Sequence, residues 1–174
     1  MSNAVTARPE VNEYAPYYGK YVSLVGEGNI VEILEQQLET SLALLKTISE
    51  EKANYRYAPD KWSIKELLGH IADTERVFAY RVLRFGRNDQ TALEGFEQDD
   101  YIANADFDSF ALSALVEEFA AVRRASLYLL RHLPQAAWTR RGIASNNEIT
   151  VRALAYILAG HELHHLNVLN ERYL

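Results

Sequence analysis

Four stretches of this chain repeat apolar residues at intervals of three and four, each behind a residue suited to cap a helix, and no segment alternates as a half-buried strand would. The first runs from Ile30 to about Glu50 behind Asn29, with Ile30, Leu34, Leu38, Leu42 and Leu45 on one side. The second opens at Ser63, where Ser63 and Glu66 form a capping box after Trp62. It continues to about Phe85 with Leu67, Ile71, Val77 and Phe78 on its apolar face. The third spans about Ser109 to Leu133, capped near Asp108 and stopped by Pro134, and carries Leu112, Leu115, Phe119, Val122 and Leu129. The fourth is capped by Thr150 and continues almost to the end, with Val151, Leu154, Leu158, His161, His165, Val168 and Leu169 on adjoining inward positions. The pattern predicts an all-α chain folded as a four-helix bundle. Its 174 residues fit one domain, 1–174, in which residues 1–27 are an extended lead-in. That lead-in is rich in tyrosine (Tyr14, Tyr17, Tyr18, Tyr21) and reads as a cover for the bundle.

The links between helices constrain the topology. The first link is short, so the first two helices are expected to be antiparallel neighbours. The next two, about Gly86 to Asp108 and Pro134 to Ile149, are long enough to cross the bundle. His70 lies near the start of the second helix, and His161 and His165 toward the end of the fourth. They meet at one end only if those helices are antiparallel, which argues for up-down-down-up.

Composition removes several functions. The net charge of -6 with no basic cluster argues against nucleic-acid binding. No apolar run approaches bilayer-spanning length, and no apolar leader core opens the chain, so no membrane association and a cytoplasmic location are expected. Cysteine is absent, which excludes disulfides, thiolate metal sites and a cysteine nucleophile, and leaves histidine as the strong nitrogen ligand.

Histidine then carries the functional signal. His161 and His165 are one turn apart on one helix face, and His70 occupies a comparable inward position. Two side-by-side imidazoles in an apolar interior leave polar nitrogens in need of partners, and a shared metal ion satisfies them. Three neutral nitrogens from two helices hold a divalent ion and leave a coordination position open for chemistry. The string His161-Glu162-Leu163-His164-His165 also matches H-E-x-x-H, but too little chain follows it to supply the third ligand of a zinc protease. A di-iron bundle needs two Glu-x-x-His motifs, and only Glu162 with His165 supplies one. His164 is about 60° round the helix from His161 and could replace one of the pair as ligand, but is expected to lie toward a neighbouring helix or subunit. His132, at the end of the third helix, is read as structural or exposed.

Among carboxylates, Asp73 and Glu66 lie one turn either side of His70 and are the candidates for a catalytic base or a partner to a ligand, although Glu66 also has its capping role. Asp99, Asp100 and Tyr101 sit in a link that can fold over the ligand end. Glu162, about 100° around the helix from His161, is read as a surface residue. If the reaction uses a thiol that carries carboxylates, Arg81, Arg140 and Arg141 are the candidates to line a polar pocket for them.

At these residues the chain resembles the DinB-like superfamily, which includes the YfiT-like metal-dependent hydrolases and bacterial thiol transferases. The run Trp62-Ser63-Ile64-Lys65-Glu66-Leu67-Leu68-Gly69-His70-Ile71-Ala72-Asp73 is similar to the start of that family's second helix, with His70 at the first ligand position. Thr150 through Asn167 is similar to its last helix, with His161 and His165 at the other two. The resemblance implies an up-down-down-up bundle, a divalent metal ion (nickel or zinc) and a homodimer. It implies a small-molecule substrate, with a low-molecular-weight thiol as one class. The expected function is hydrolysis or thiol transfer by a metal-activated water or thiol. The alternative is a non-catalytic metal-binding or stress-related interaction module.

Overall fold

The computed structural model describes residues 7–174, so the first six residues of the lead-in lie outside the described residues. The described part of the lead-in is coiled rather than extended. It makes short 3-10 turns at Val11–Glu13 and Pro16–Tyr18 and then a one-turn helix, α1 (Gly19–Val22). Arg8 ties it down by donating to the carbonyl of Val22 at 2.6 Å. The carboxylate of Glu13 accepts from Thr150 Oγ1 at 2.7 Å and pairs with Arg152.

The four long helices are α2 (Ile30–Leu45), α4 (Ile64–Gly86), α6 (Leu112–Arg131) and α7 (Val151–Val168), with the short α3 (Glu50–Ala53) and α5 (Gln98–Ala105) in the first two links. Their starts follow the sequence signals. Asn29 accepts from the Val31 amide, Ser63 and Glu66 form the capping box, and Thr150 accepts from Ala153. The first helix ends five residues earlier than its pattern suggested, at Leu45 rather than Glu50, and the chain restarts as α3 behind the Ser49 cap. In α6 the buried stripe runs through Leu115, Phe119, Arg123, Ser126, Leu127 and Leu130, which leaves Val122 and Leu129 only partly covered.

Cross-helix contacts give the directions. Gln37 bonds to the Ala159 carbonyl and Ser41 to Glu162, so α2 and α7 run parallel. Ser63 meets Asp108 and Arg76 meets Glu118, so α4 and α6 run parallel. Tyr173 donates to the Trp62 carbonyl while His70 meets His161, so α4 and α7 are antiparallel. Arg131 pairs with Glu35 while Glu50, just beyond α2, caps the Leu112 amide, so α2 and α6 are antiparallel. The bundle is therefore up-down-down-up. The expected adjacency of the first two long helices does not hold, because α2 and α4 each pack on α6 and α7 and occupy diagonal corners. The first link crosses that diagonal, with α3 in it.

The last link contains an antiparallel hairpin that the periodicity did not predict, β1 (Arg141–Ala144) paired with β2 (Asn147–Thr150), Arg141 opposite Thr150. Its strands are too short for alternation to register in sequence. Ser145 and Asn146 both have positive φ, 51° and 62°, as a two-residue hairpin turn requires. The second link docks on this hairpin through Leu93, whose amide donates to Ile143 and whose carbonyl accepts from Ser145. Its apolar anchors are Ile102 and Phe107, both buried. Phe107 lies over Gly69, where a Cβ would stand 2.4 Å from the ring.

From Val151 to Glu162 every residue of α7 except Arg152 is buried, so this helix is the axis of the core. Among the described residues no helix is long and apolar enough to cross a membrane.

Candidate metal centre

The first turns of α4 and the last turns of α7 bring His70, His161 and His165 together. His70 Nε2 and His161 Nε2 are 3.0 Å apart, and His165 Nε2 is 3.1 Å from His161 Nε2. One ring nitrogen from each of the three lies within 4.8 Å of the others. Nitrogens at about 2.1 Å from a common ion stand roughly 3.0 Å apart at a right angle and 3.4 Å apart at a tetrahedral one. The spacing thus suits ligands on one face of an ion. Three imidazoles with no carboxylate among them are the donor set of a borderline-soft divalent cation.

The rings are also held in the ligating state. His70 and His161 are buried, and His165 is half-buried. Burial pushes the His70 pKa down to about 4 and that of His165 to about 2. It lowers His161 further below the ordinary range, with the neighbouring His165 and His70 adding to the effect. All three are therefore neutral near pH 7, the form that binds metal. Aromatic rings fix their orientation, with Trp62 at 4.7 Å from the His70 ring and Tyr21 at 5.4 Å edge-on to His161. Thr74 Oγ1 stands 3.5 Å from His70 Nδ1.

Cavities open on both sides of the cluster. One, of about 290 Å³, is walled by His70, His161, Tyr17, Tyr21 and Arg81. The other, of about 340 Å³, is walled by His165, His164, Trp62 and Tyr173. Asp99, at the start of α5, borders both. The second link thus folds over the ligand end as its length suggested. Of its three candidates Asp99 alone lines these cavities, while Tyr101 packs at a tilt against Phe96 and Asp100 faces solvent. The tyrosine-rich lead-in covers the bundle and also supplies a cavity wall.

The two carboxylates flanking His70, the candidates for a base, are held by other partners. Glu66 is spent on the Ser63 amide and an ion pair with Arg56, and Asp73 on Arg76, which also binds Glu118. Neither borders the two cavities. Glu162 is likewise not at the surface. It is 1% exposed, accepts from Ser41, and lies 2.8 Å from Arg123, which also grips Glu75. Glu75, Arg123 and Glu162 thus form a buried triad that joins α4, α6 and α7. Its sequence signal was available, since Arg123 falls four residues after Phe119 on the apolar stripe. His164 lies edge-on to Tyr21 at 5.5 Å and faces the second cavity. His132 is exposed and bonds the Tyr128 carbonyl at 2.8 Å. Of the three arginines, Arg81 reaches a cavity. Arg140 caps the Gly86 carbonyl, and Arg141 bonds Asn12 and Glu148.

The sequence matches the family model of the DinB superfamily over residues 33–169. YfiT from Bacillus subtilis, described as a probable metal-dependent hydrolase with an unusual four-helix bundle topology, superimposes with a TM-score of 0.71 at 14% identity, over 98% of this chain and 93% of that one. The DinB-like protein YjoA from Bacillus subtilis superimposes with a TM-score of 0.58 at 21% identity, over 81% of this chain and 86% of that one. At these identities the likeness is one of fold. No curated protein matches the sequence.

Proposed function

The chain belongs to the DinB superfamily, and on that premise we propose that it is a divalent-metal-dependent enzyme acting on a small molecule, with His70, His161 and His165 as the ligands of zinc or nickel. One observation carries this reading. Three neutral imidazoles, two buried and one half-buried, point their Nε2 atoms at one another in the wall between two solvent-connected cavities. A structural site would be closed by a fourth protein ligand. Here no carboxylate joins the three histidines within metal-binding reach among the described residues.

A divalent ion held there supplies Lewis acidity, lowering the pKa of a water or thiol and polarising an electrophile. The protein's own groups do the rest. Trp62 and Tyr21 hold the imidazole planes, and the cavities orient the substrate on either side of the ligands. Asp99, bordering both cavities, is the carboxylate that takes the proton from the nucleophile. Likeness in fold to a probable metal-dependent hydrolase favours water as the nucleophile, and a low-molecular-weight thiol is the other member of the same scheme.

The test is metal analysis of untagged protein, followed by assays of the loaded protein with activated esters and amides and, separately, with a thiol plus an electrophile. One zinc or nickel per chain, lost in His161→Ala, with turnover in either assay supports the reading. Full metal retention in His161→Ala, or a loaded protein inert in both assays, overturns it.

A further inference from the structure

Three cationic side chains are buried among the described residues, and two of them sit on carboxylates. Lys65 pairs with Glu50, and Arg123 with Glu75 and Glu162. The third, Arg81, is 2% exposed and has no carboxylate partner. Its Nη2 donates to two neutral acceptors, the Glu94 carbonyl at 3.1 Å and Ser145 Oγ at 3.0 Å. The Tyr18 hydroxyl stands against it, and its guanidinium lies 5.0 Å from the Phe78 ring centre. A guanidinium stays protonated and carries five donors. A buried one left without a counter-charge is costly, so such an arrangement persists where a ligand supplies the charge.

The position is built rather than incidental. Arg81 comes from α4, Ser145 from the tip of the β1–β2 turn at φ 51°, and the Glu94 carbonyl from the second link. The link is fastened to that turn by the Leu93–Ser145 hydrogen bond. All three elements meet only in the folded chain, and the cavity they close is the one that His70 and His161 also wall.

We propose that Arg81, with Ser145 and Tyr18, is the subsite for a carboxylate on the substrate. The substrate is then a small monoanionic molecule whose carboxylate sits on Arg81 while its reacting end reaches the histidines. Carboxylate fits better than phosphate for two reasons. One guanidinium balances one charge and matches the planar fork of a carboxylate. Glu97 and Asp99 border the same cavity and disfavour a dianion. The proposal rests on the metal reading for where the reacting end lies.

Cobalt-loaded protein titrated with ω-mercaptoalkanoates of increasing length, and with their methyl esters, tests this through the thiolate–cobalt absorption band. At one chain length the acid should bind about tenfold or more tightly than its ester. Arg81→Gln should remove that difference while leaving the cobalt spectrum before thiol unchanged, and Arg81→Lys should restore part of it. Equal binding of acid and ester at every length overturns the proposal, and that comparison needs only the unmutated protein. Tighter binding of the matching alkyl phosphate overturns the carboxylate assignment. The metal-free arm follows NMR line broadening of the thiol-free alkanoates. If cobalt does not bind but broadening depends on Arg81, the metal reading fails and the anion subsite stands. If cobalt binds and no acid–ester difference exists, the reverse holds.

Discussion

Arg123 and Glu162 form an ion pair of 2.8 Å in which each side chain is about 1% exposed, and Glu162 is the residue next to His161. The same guanidinium holds Glu75 of α4 through contacts of 2.8 and 3.0 Å. One arginine from α6 therefore locks together the two helices that carry the histidines. Arg123→Met leaves two buried carboxylates without a counter-charge and should cost roughly 3–5 kcal/mol of stability. Arg131→Met removes an exposed pair with Glu35 and should cost roughly 1 kcal/mol or less. Denaturant midpoints compare the two. Equal losses would mean that the buried triad does not hold the helices together.

Metal binding should discriminate between adjacent histidines. His161 and His165 present their Nε2 atoms to the cluster, whereas His164 turns toward Tyr21 and the second cavity. His161→Ala should weaken zinc binding by about a hundredfold or more, and His164→Ala by less than about tenfold. His132→Ala should have no effect. Competition with a chelating dye measures all three. Loss of zinc in His164→Ala with retention in His161→Ala would reverse the ligand assignment.

The histidine cluster was legible because two imidazoles one turn apart in an apolar helix need polar partners that their neighbours cannot supply, and a third inward histidine had a matching place in the chain. The bundle was legible from capped apolar stripes. Three features of the fold and site escape such patterns. The angle of Glu162 from His161 suggests a surface position, but the uncharged run Ala153 to Gly160 makes α7 apolar on all sides, so no outer face exists there. The diagonal placement of α2 and α4 is a property of packing, and link length does not report it. Asp73 and Glu66 are near His70 in sequence, yet each has a nearer arginine, and Asp99, the carboxylate bordering both cavities, comes from a link that no helical period could place.

Stability of the metal-free protein should depend steeply on pH below neutrality. The imidazoles of His70, His161 and His165 have pKa values below the ordinary 6.5, so the unfolded chain takes up protons that the folded one does not. Their contribution is fully present above about pH 6.5 and is lost as pH falls, down to about 4 for His70 and further, to about 2, for His165. The slope is that of one to three protons, about 1.4 to 4 kcal/mol per pH unit. Zinc should move the loss to lower pH, because it competes with protons for the same nitrogens. Denaturation series at fixed ionic strength test both points. A pH-independent midpoint over this range would contradict the buried neutral state.

Asp99 is the carboxylate assigned to proton transfer. Asp99→Asn keeps its shape and removes its basicity, so turnover should fall by about a hundredfold or more while zinc content stays unchanged. Asp73→Asn and Glu66→Gln should leave turnover within a few-fold, because their partners are Arg76 and Arg56. Glu66→Gln should lower stability slightly through the capping box. An Asp73→Asn loss as large as that of Asp99→Asn would return the base to α4.

Gly160 sets how closely the lead-in approaches the site. In most helix interiors glycine to alanine stabilises by about 1 kcal/mol. Here a Cβ would lie 2.0 Å from the Tyr21 carbonyl oxygen and 2.4 Å from its carbon, and backbone atoms cannot rotate aside. Gly160→Ala must therefore lift α1 off α7, taking the Tyr21 ring from His161 and opening the wall of the first cavity. The cost should be about 1–3 kcal/mol, opposite in sign to the intrinsic propensity. Zinc should still bind, because all three ligands belong to α4 and α7. The sites exposed to limited proteolysis should shift into the lead-in around Tyr17 to Val25. A more stable protein with an unchanged cleavage pattern would show that the lead-in does not depend on this close approach.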